Sequence, residues 1–228
     1  MRFKLRELDM IRRVVGIYFS PVGGTAKMTE MLTAEIAEKL ADCSPEKIEV
    51  RTLDLLRMEG EDHSFDEETV AVIGMPVYVG KMPVPGISAI RKLSATGSSA
   101  VLAVSYGGRT FGNALYELQH FAEEQGFRTI GAGAFAVRYK GRRGHRHRGI
   151  ENTIDMETIR DFGNAASAKI RRLAGSDIEG LKIKPAPVEV SGRLPIHRVS
   201  RISPAAAAVA QEILEKLSIR HRQSEWYL

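Results

Sequence analysis

The sequence predicts an α/β protein built on a doubly wound sheet of five parallel strands. Short apolar segments rich in β-branched residues alternate along the chain with longer segments of helical periodicity. Such alternation is typical of parallel strands joined by right-handed crossover helices. The alternation ends near residue 177 of a 228-residue chain, and that length is enough for one α/β domain with a buried core.

Five segments have the character of strands. They are residues 14–19, 48–53, 70–75, 99–105 and 127–135. Residues 14–19 and 70–75 are continuous apolar runs, as in strands that helices cover on both faces. The segment 48–53 is only half apolar and is predicted to be half-buried. Pro76 ends the third strand, because proline has no N–H to donate within a sheet.

Segments with helical spacing separate these strands. Residues 25–40 are predicted to form the first helix, since apolar side chains recur there every three or four positions. Further helices are predicted over residues 87–93, 111–125 and 155–173. Gly126 is expected to end the third helix in a left-handed conformation. Residues 54–68 are polar and are predicted to be irregular.

The chain is expected to divide into a domain, residues 1–177, and a C-terminal extension, residues 178–228. The extension carries four prolines and one alanine-rich segment, 204–217, that is predicted to be helical. It is expected to wrap the domain or to reach a neighbouring molecule, including a second copy in a homodimer.

Composition excludes several classes of protein. Cys43 is the single cysteine, so the chain can form no internal disulfide and cannot supply four cysteine ligands to an iron–sulfur cluster. Since no apolar run approaches 18 residues, a membrane span is not expected. The charged first residues do not resemble a signal peptide, and a cytoplasmic location is therefore expected.

A basic segment accounts for the charge of the chain. The net charge is +5 and the pI is about 9.4. Residues 138–148 contain six lysines and arginines and no acidic residue. This segment is either a solvated loop or a site for an anion, such as a phosphorylated nicotinamide cofactor, an acidic redox partner or nucleic acid. One basic loop on a near-neutral body gives little support for nucleic acid. His145 and His147 form a weak candidate metal pair, and no metal site is predicted.

The loop after the first strand has the composition of an anion site. In doubly wound sheets, ligands bind beyond the carboxyl ends of the strands. The amides of Val22, Gly23 and Gly24 would meet an oxyanion at a helix start, and Ser20 and Thr25 add hydroxyl donors. The patterns G-x-x-x-x-G-K-[ST] and G-x-G-x-x-G are both missing. A phosphate monoester therefore suits this loop best; the alternative is an ordinary strand-to-helix turn.

Two more loops are expected at the same edge of the sheet. The loop after the third strand contains Pro76, Val77, Tyr78, Val79 and Gly80. The Tyr78 ring is placed to cover a flat heterocycle by offset stacking. The loop after the fourth strand offers backbone groups that can bind the polar edge of a ring system, on Ser105, Tyr106, Gly107, Gly108 and Arg109.

Together the three loops resemble those of flavodoxin-type domains. The similarity is strongest to the flavodoxin portion of proteins that fuse such a domain to a two-cluster ferredoxin. The family pattern Y-F-S-x-T-G-N-T is similar to residues 18–25, which read YFSPVGGT; P-V-Y-x-G-x-x-P is similar to PVYVGKMP at 76–83; and V-x-Y-G-x-R is similar to VSYGGR at 104–109. The resemblance covers roughly residues 14–175.

The resemblance implies strand order 2-1-3-4-5 and a bound flavin mononucleotide (FMN). It implies that the first loop holds the phosphate and that the ring lies between the Tyr78 and Tyr106 loops. Val22 and Gly24 stand where the family has a hydroxyl residue and an asparagine, so two side-chain contacts to phosphate are lost. The ferredoxin cysteines are also missing.

The implied function is electron transfer or flavin-dependent reduction, with a redox partner protein or NAD(P)H as the other reactant. No nucleophile–base pair is evident, so any chemistry would belong to the cofactor. If residues 138–148 fold over the flavin, their positive charge favours its reduced form. The alternative is a flavodoxin-like module with a degenerate flavin site that binds a partner through this basic loop.

Overall fold

A computed structural model describes residues 11–42, 44, 46–58, 63–107, 110–140, 151–176, 188–192 and 225–227. Several predictions fall outside these ranges. They concern Cys43, Gly108, Arg109, residues 141–148 of the basic segment and the helix expected over residues 204–217.

The described residues form nine strands and four helices. In chain order they are β1 (Arg13–Tyr18), α1 (Gly24–Ala41), β2 (Glu49–Asp54), β3 (His63–Phe65), β4 (Thr69–Pro76), α2 (Val84–Ile90), β5 (Leu93–Ala95), β6 (Ser99–Tyr106), α3 (Ala114–Glu124), β7 (Arg128–Lys140), β8 (Glu151–Ile154), α4 (Met156–Ser176) and β9 (Glu225–Tyr227). None of the described helices is both long and apolar enough to cross a membrane.

Five parallel strands lie in the order β2-β1-β4-β6-β7. Numbered among themselves, these strands have the predicted order 2-1-3-4-5, so the sequence-based fold class is confirmed. The chain passes from β1 to the outer strand β2 and then returns to the other side of β1. The order therefore reverses between β1 and β4, where open α/β sheets bind their ligands.

Four short strands were not predicted. β3, which lies in the segment predicted to be irregular, pairs with β5 in a separate two-stranded sheet, and β5 begins at Leu93, where the second predicted helix was expected to end. On β7, residues 132–134 pair with the antiparallel strand β9, and residues 137–140 pair with β8. Because β6 occupies one edge of β7, β9 lies along the other edge. β7 itself runs to Lys140, five residues beyond the predicted end of the fifth strand.

The four helices predicted in the domain are present, but their first and last residues differ from the prediction. α2 begins at Val84, three residues before the predicted start, because Pro83 and Pro85 suit a helix N-terminus and need no donor there. α4 begins after Asp155, whose carboxylate accepts hydrogen bonds from the N–H groups of Glu157 and Thr158. Gly126 has φ of 88°, which confirms the left-handed residue predicted to follow the third helix.

Two apolar layers enclose the sheet. One contains residues of α1 and α4 packed on the sheet, including Met28, Leu32, Val72, Phe135 and Phe162. The other lies on the opposite face and includes residues of α2 and α3, among them Ile73, Ile90, Leu102, Leu115 and Leu118. Val188 and Val190 of the C-terminal extension are buried in this second layer.

Glycines let α1 lie close to the sheet. A Cβ on Gly16 of β1 would stand 2.5 Å from Thr33 Oγ1, and one on Gly74 of β4 would overlap Thr29 Oγ1. Both threonine hydroxyls donate to backbone carbonyls one turn earlier in α1. This close seating fixes the N-terminus of α1 between the carboxyl ends of β1 and β4.

Candidate functional site

Three loops meet at the carboxyl edge of the parallel strands. We name them the first loop (residues 20–25), the second loop (residues 76–82) and the third loop (residues 105–107 and 110–113). The Thr25 and Ser105 hydroxyls lie 2.7 Å apart and share a hydrogen bond. The Val77 N–H donates to the Ser105 carbonyl over 2.9 Å. Segments far apart in the sequence are thus brought together as predicted from the fold.

The first loop presents backbone donors at the start of α1. Gly23, with φ of 83°, precedes the helix in the left-handed region that glycine favours. The Ser20 hydroxyl oxygen accepts the Ala26 N–H at 2.9 Å and so caps the first turn. Within the described part of the chain, the N–H groups of Gly24 and Thr25 donate to no acceptor. They remain available to an anion.

The Thr25 side chain is turned away from solvent. It is 2% exposed, and Ser105 is 1% exposed. Their shared hydrogen bond joins α1 to the end of β6. The Thr25 hydroxyl, predicted as a phosphate donor, is therefore already engaged inside the protein, whereas the Ser20 hydroxyl acts here as an acceptor and can still donate its hydrogen.

The second loop contains a tight turn with an unusual backbone. The N–H of Tyr78 donates to the Lys81 carbonyl at 2.8 Å, and the reverse bond is 3.1 Å. Val79 and Gly80, between them, have φ of 53° and 74°, as in a type I′ turn. A β-branched residue rarely adopts a left-handed conformation, which costs about 1–2 kcal/mol. The second loop therefore stores strain at an exposed residue.

The second and third loops touch through two glycines. The Asn113 N–H donates to the Gly80 carbonyl at 2.7 Å. A Cβ on Gly112 would lie 2.5 Å from the Gly80 carbonyl oxygen and 2.7 Å from its Cα. Since no larger residue fits at Gly112, the two loops form one connected wall.

The two tyrosines predicted to border a ring have different surroundings. Tyr78 is half-buried, and burial raises the pKa of its hydroxyl. Tyr106 is 3% exposed, and its ring packs 5.8 Å from that of Phe111. Tyr78 thus presents part of its surface at the edge of the sheet, whereas the Tyr106 ring belongs to the core.

Glu117 is a buried carboxyl group behind the second loop. It is 1% exposed and lies in the first turn of α3. Its Oε2 accepts the Met82 N–H at 2.8 Å, and its Oε1 has no hydrogen-bond partner among the described residues. Burial raises the pKa of this carboxyl, against the lowering effects of the Met82 N–H, Asn113 and Lys81.

The three loops were predicted from the sequence, but the residues that join the second and third loops were not. Gly112, Asn113 and Glu117 were missed because each resembles an ordinary helix start. A signal was present: Asn113 and Glu117 are four residues apart, and so share one side of a helix that follows a glycine-rich loop. Gly108 and Arg109, two of the predicted site residues, lie outside the described part of the chain.

No group of three or more histidine, cysteine, aspartate or glutamate side chains is placed to bind a metal ion within the described ranges. The polar groups that face the site are instead backbone amides and a hydroxyl. Such donors suit an anionic ligand better than a cation.

Several solved structures are similar to this chain. An oxidoreductase from Corynebacterium diphtheriae matches with a TM-score of 0.50 and 11% identity, over 72% of this chain and 97% of that one. Flavodoxin 1 from Bacillus cereus matches at 0.45 and 18% identity, over 69% and 97%. A flavodoxin from the domain Archaea matches at 0.43 and 14%, over 70% and 99%.

No protein-family model matches the chain, and no curated protein matches it in sequence. At these low identities, the oxidoreductase comparison supports the fold alone. The flavodoxin-like fold of this chain rests on its strand order β2-β1-β4-β6-β7, which is the flavodoxin-like order of doubly wound sheets.

Proposed function

We propose that this flavodoxin-like chain binds FMN at the three-loop edge and serves in electron transfer or flavin-dependent reduction. The observation that carries the proposal is that two amides, on Gly24 and Thr25, donate to no acceptor among the described residues and lie at the same sheet edge as the half-buried ring of Tyr78, where the strand order reverses. When bound, FMN would supply the redox chemistry, and the chain would supply binding, orientation and charge.

The first loop fits the phosphate of FMN. A Cβ at Gly23 would meet no atom within 4 Å, so there is room beside the backbone for an oxyanion. The amides of Gly24 and Thr25 and the hydroxyl of Ser20 are the donors, and the positive end of the α1 dipole adds roughly 0.3–1 kcal/mol.

The second and third loops fit the flavin ring less completely. Tyr78 would supply an aromatic face, and the backbone near Val79 and Gly80 would meet the polar edge of the ring. Tyr106 would contribute through its backbone, because its side chain is enclosed.

A second function has its own support. The Val22 side chain is exposed and has no polar atom, and the Thr25 hydroxyl is bound to Ser105. A phosphate would therefore meet fewer side-chain donors than the family pattern implies. These features favour weak FMN binding or, as the alternative, a flavodoxin-like module that has lost the cofactor and binds a partner through residues 138–148.

Titration of the purified protein with FMN tests the proposal. Flavin fluorescence should be quenched on binding, with a one-to-one endpoint, and the complex should be yellow after gel filtration. Riboflavin, which lacks the phosphate, should bind much more weakly. A colourless protein that leaves FMN fluorescence unchanged at high protein concentration would contradict the proposal and favour the module.

Ser20→Ala is the matching site variant. It removes the acceptor for the Ala26 N–H and a donor to phosphate, so we expect about 1 kcal/mol less stability and weaker FMN binding. Ser44→Ala is the control, because the Ser44 hydroxyl also accepts a backbone N–H, from Glu46, at an exposed turn. Equal FMN affinity in Ser20→Ala and Ser44→Ala would argue against phosphate at this loop.

The source of electrons is part of the same proposal. A redox partner protein or NAD(P)H would supply them; rapid bleaching of the bound flavin by NADPH alone would favour direct reduction. Since the chain lacks cysteines for an iron–sulfur cluster, a cluster relay would belong to another protein. We further propose a cytoplasmic location and a homodimer formed through the C-terminal extension, which light scattering can test.

A further inference from the structure

We propose that Glu117 is a positioning residue of the candidate site: its carboxylate holds the second loop through the Met82 amide, and protonation of that carboxylate weakens the hold on FMN. The inference rests on the proposed function for its ligand. The hydrogen bond from the Met82 N–H to the Glu117 carboxylate can be tested in the protein without any ligand.

The second loop is tethered to the start of α3 at two points. Within its turn, the Gly80 carbonyl accepts the Asn113 N–H over 2.7 Å. Just after the turn, the Met82 N–H donates to Glu117 Oε2 over 2.8 Å. Asn113 and Glu117 are one turn apart at the start of α3, so a single helix end positions the whole turn.

The turn needs such tethers because it is strained. Val79 keeps φ of 53° although half of its surface is exposed. Strained backbone persists only where surrounding contacts over-determine it. Gly112 presses against Gly80 from the third loop, and the Glu117 bond provides the restraint after the turn.

The charge on Glu117 sets the strength of that restraint. A hydrogen bond to an ionised carboxylate is roughly twice as strong as one between neutral groups. Oε1 has no partner among the described residues. It can therefore take up a proton while Oε2 keeps the Met82 N–H, so that the bond stays in place but loses its charge assistance.

The surroundings of Glu117 shift the pKa of its carboxyl group. Burial raises the pKa of the carboxyl above its usual value of 4.5. The charged group acting on it within the described residues is the Lys81 ammonium of the second loop, and the Met82 N–H and Asn113 are the neutral donors; all three lower the pKa. Glu117 is thus expected to titrate at a higher pH than an exposed glutamate.

The first measurement needs no ligand. In ¹H–¹⁵N spectra of the FMN-free protein, the Met82 amide proton should shift upfield as the pH falls, with a midpoint above that of an ordinary glutamate. Glu117→Gln, which keeps an acceptor oxygen but cannot titrate, should abolish this shift. Glu124→Gln is the control, because Glu124 is an exposed acid of the same helix and should leave the shift unchanged.

The second measurement is the dissociation constant for FMN across the same pH range. The FMN phosphate itself titrates near pH 6, so the native protein is compared with Glu117→Gln at each pH. Above the Glu117 midpoint, the native protein should bind roughly fivefold more tightly than the variant. Below the midpoint, the two affinities should be equal.

The outcomes separate this inference from the proposed function. A Met82 amide that does not move with Glu117, or an affinity ratio that stays constant with pH, overturns the inference. A titrating Met82 amide in a protein that binds no FMN overturns the proposed function and supports the loop-positioning role. A Glu117→Gln variant that fails to fold would not remove the test, because the native amide titration decides it.

Discussion

At the scale of single residues, the most informative position is Val79. It is a β-branched side chain, half-exposed, in a left-handed turn that most proteins fill with glycine or asparagine. Nothing in the packing of the core requires valine there. The residue is therefore held by the hydrogen bonds around it, from Tyr78 to Lys81 and from Asn113 to Gly80.

Val79→Gly should relieve this strain. We expect a gain of about 0.5–1 kcal/mol in the free energy of unfolding, after allowing for the greater chain entropy of glycine, measured by urea denaturation. Val50→Gly serves for comparison, because Val50 is equally exposed but lies in the regular strand β2 and its replacement should destabilise. A loss of stability at both positions would show that Val79 is not strained.

At the scale of elements, α1 and β4 are fitted to each other through small groups. Gly74 leaves space for Thr29, and the Thr29 hydroxyl in turn donates to the Thr25 carbonyl at 2.8 Å. This contact lies one turn below the Thr25–Ser105 hydrogen bond. The seating of α1 thus decides where the Gly24 and Thr25 amides point.

Gly74→Ala should disturb that seating. The new methyl group would overlap Thr29 Oγ1, and we expect a loss of roughly 2 kcal/mol in urea denaturation. Thr29→Ala makes room, so the double variant should lose less than the sum of the two single losses. If the losses in free energy of unfolding are strictly additive, the Gly74 and Thr29 positions do not interact.

The same scale shows what the sequence could and could not predict. The strands over the apolar runs 14–19 and 70–75 were predictable, because these runs have no stable alternative to burial in a sheet; β2, which is mostly exposed, was predictable from the alternation of strands and helices. β3, β5 and β9 have three residues each, and pairing so short depends on distant partners. The Tyr78 loop was predictable from local chemistry, whereas the enclosure of Tyr106 by Phe111 and the buried Glu117 depend on tertiary packing.

At the scale of the whole molecule, the ion pairs of Arg13 and the candidate site lie at opposite ends of the sheet. Arg13, at the start of β1, donates to both Asp66 carboxylate oxygens at 2.8 and 2.6 Å. This hydrogen bonding, supported by Thr69, lowers the pKa of Asp66. The three loops lie at the other ends of the strands, so the two regions can be altered separately.

Asp66→Asn should change acid stability without changing FMN binding. Because the folded pKa is lowered, the ionised carboxylate stabilises the fold above its usual pKa of 3.8, and that contribution disappears as pH falls through the folded value. With 53% of the side chain exposed, we expect about 0.5–1 kcal/mol at neutral pH. Thermal melts of variant and native protein should converge in acid.

Asp161→Asn is the comparison for this experiment, since Asp161 is exposed on α4 and forms no ion pair within the described ranges. It should shift stability little at any pH. If the melting temperatures of Asp66→Asn and the native protein differ by the same amount at every pH, Asp66 does not contribute to the pH dependence of stability.

The contact between Gly80 and Gly112 limits how the site can be redesigned. If one of these two loops is replaced by a loop from another protein, the new backbone is expected to clash with the glycine of the loop that remains. The pair should therefore be exchanged as a single cassette. For the same reason, libraries aimed at a new cofactor should randomise the Tyr78 side and leave Gly112 fixed.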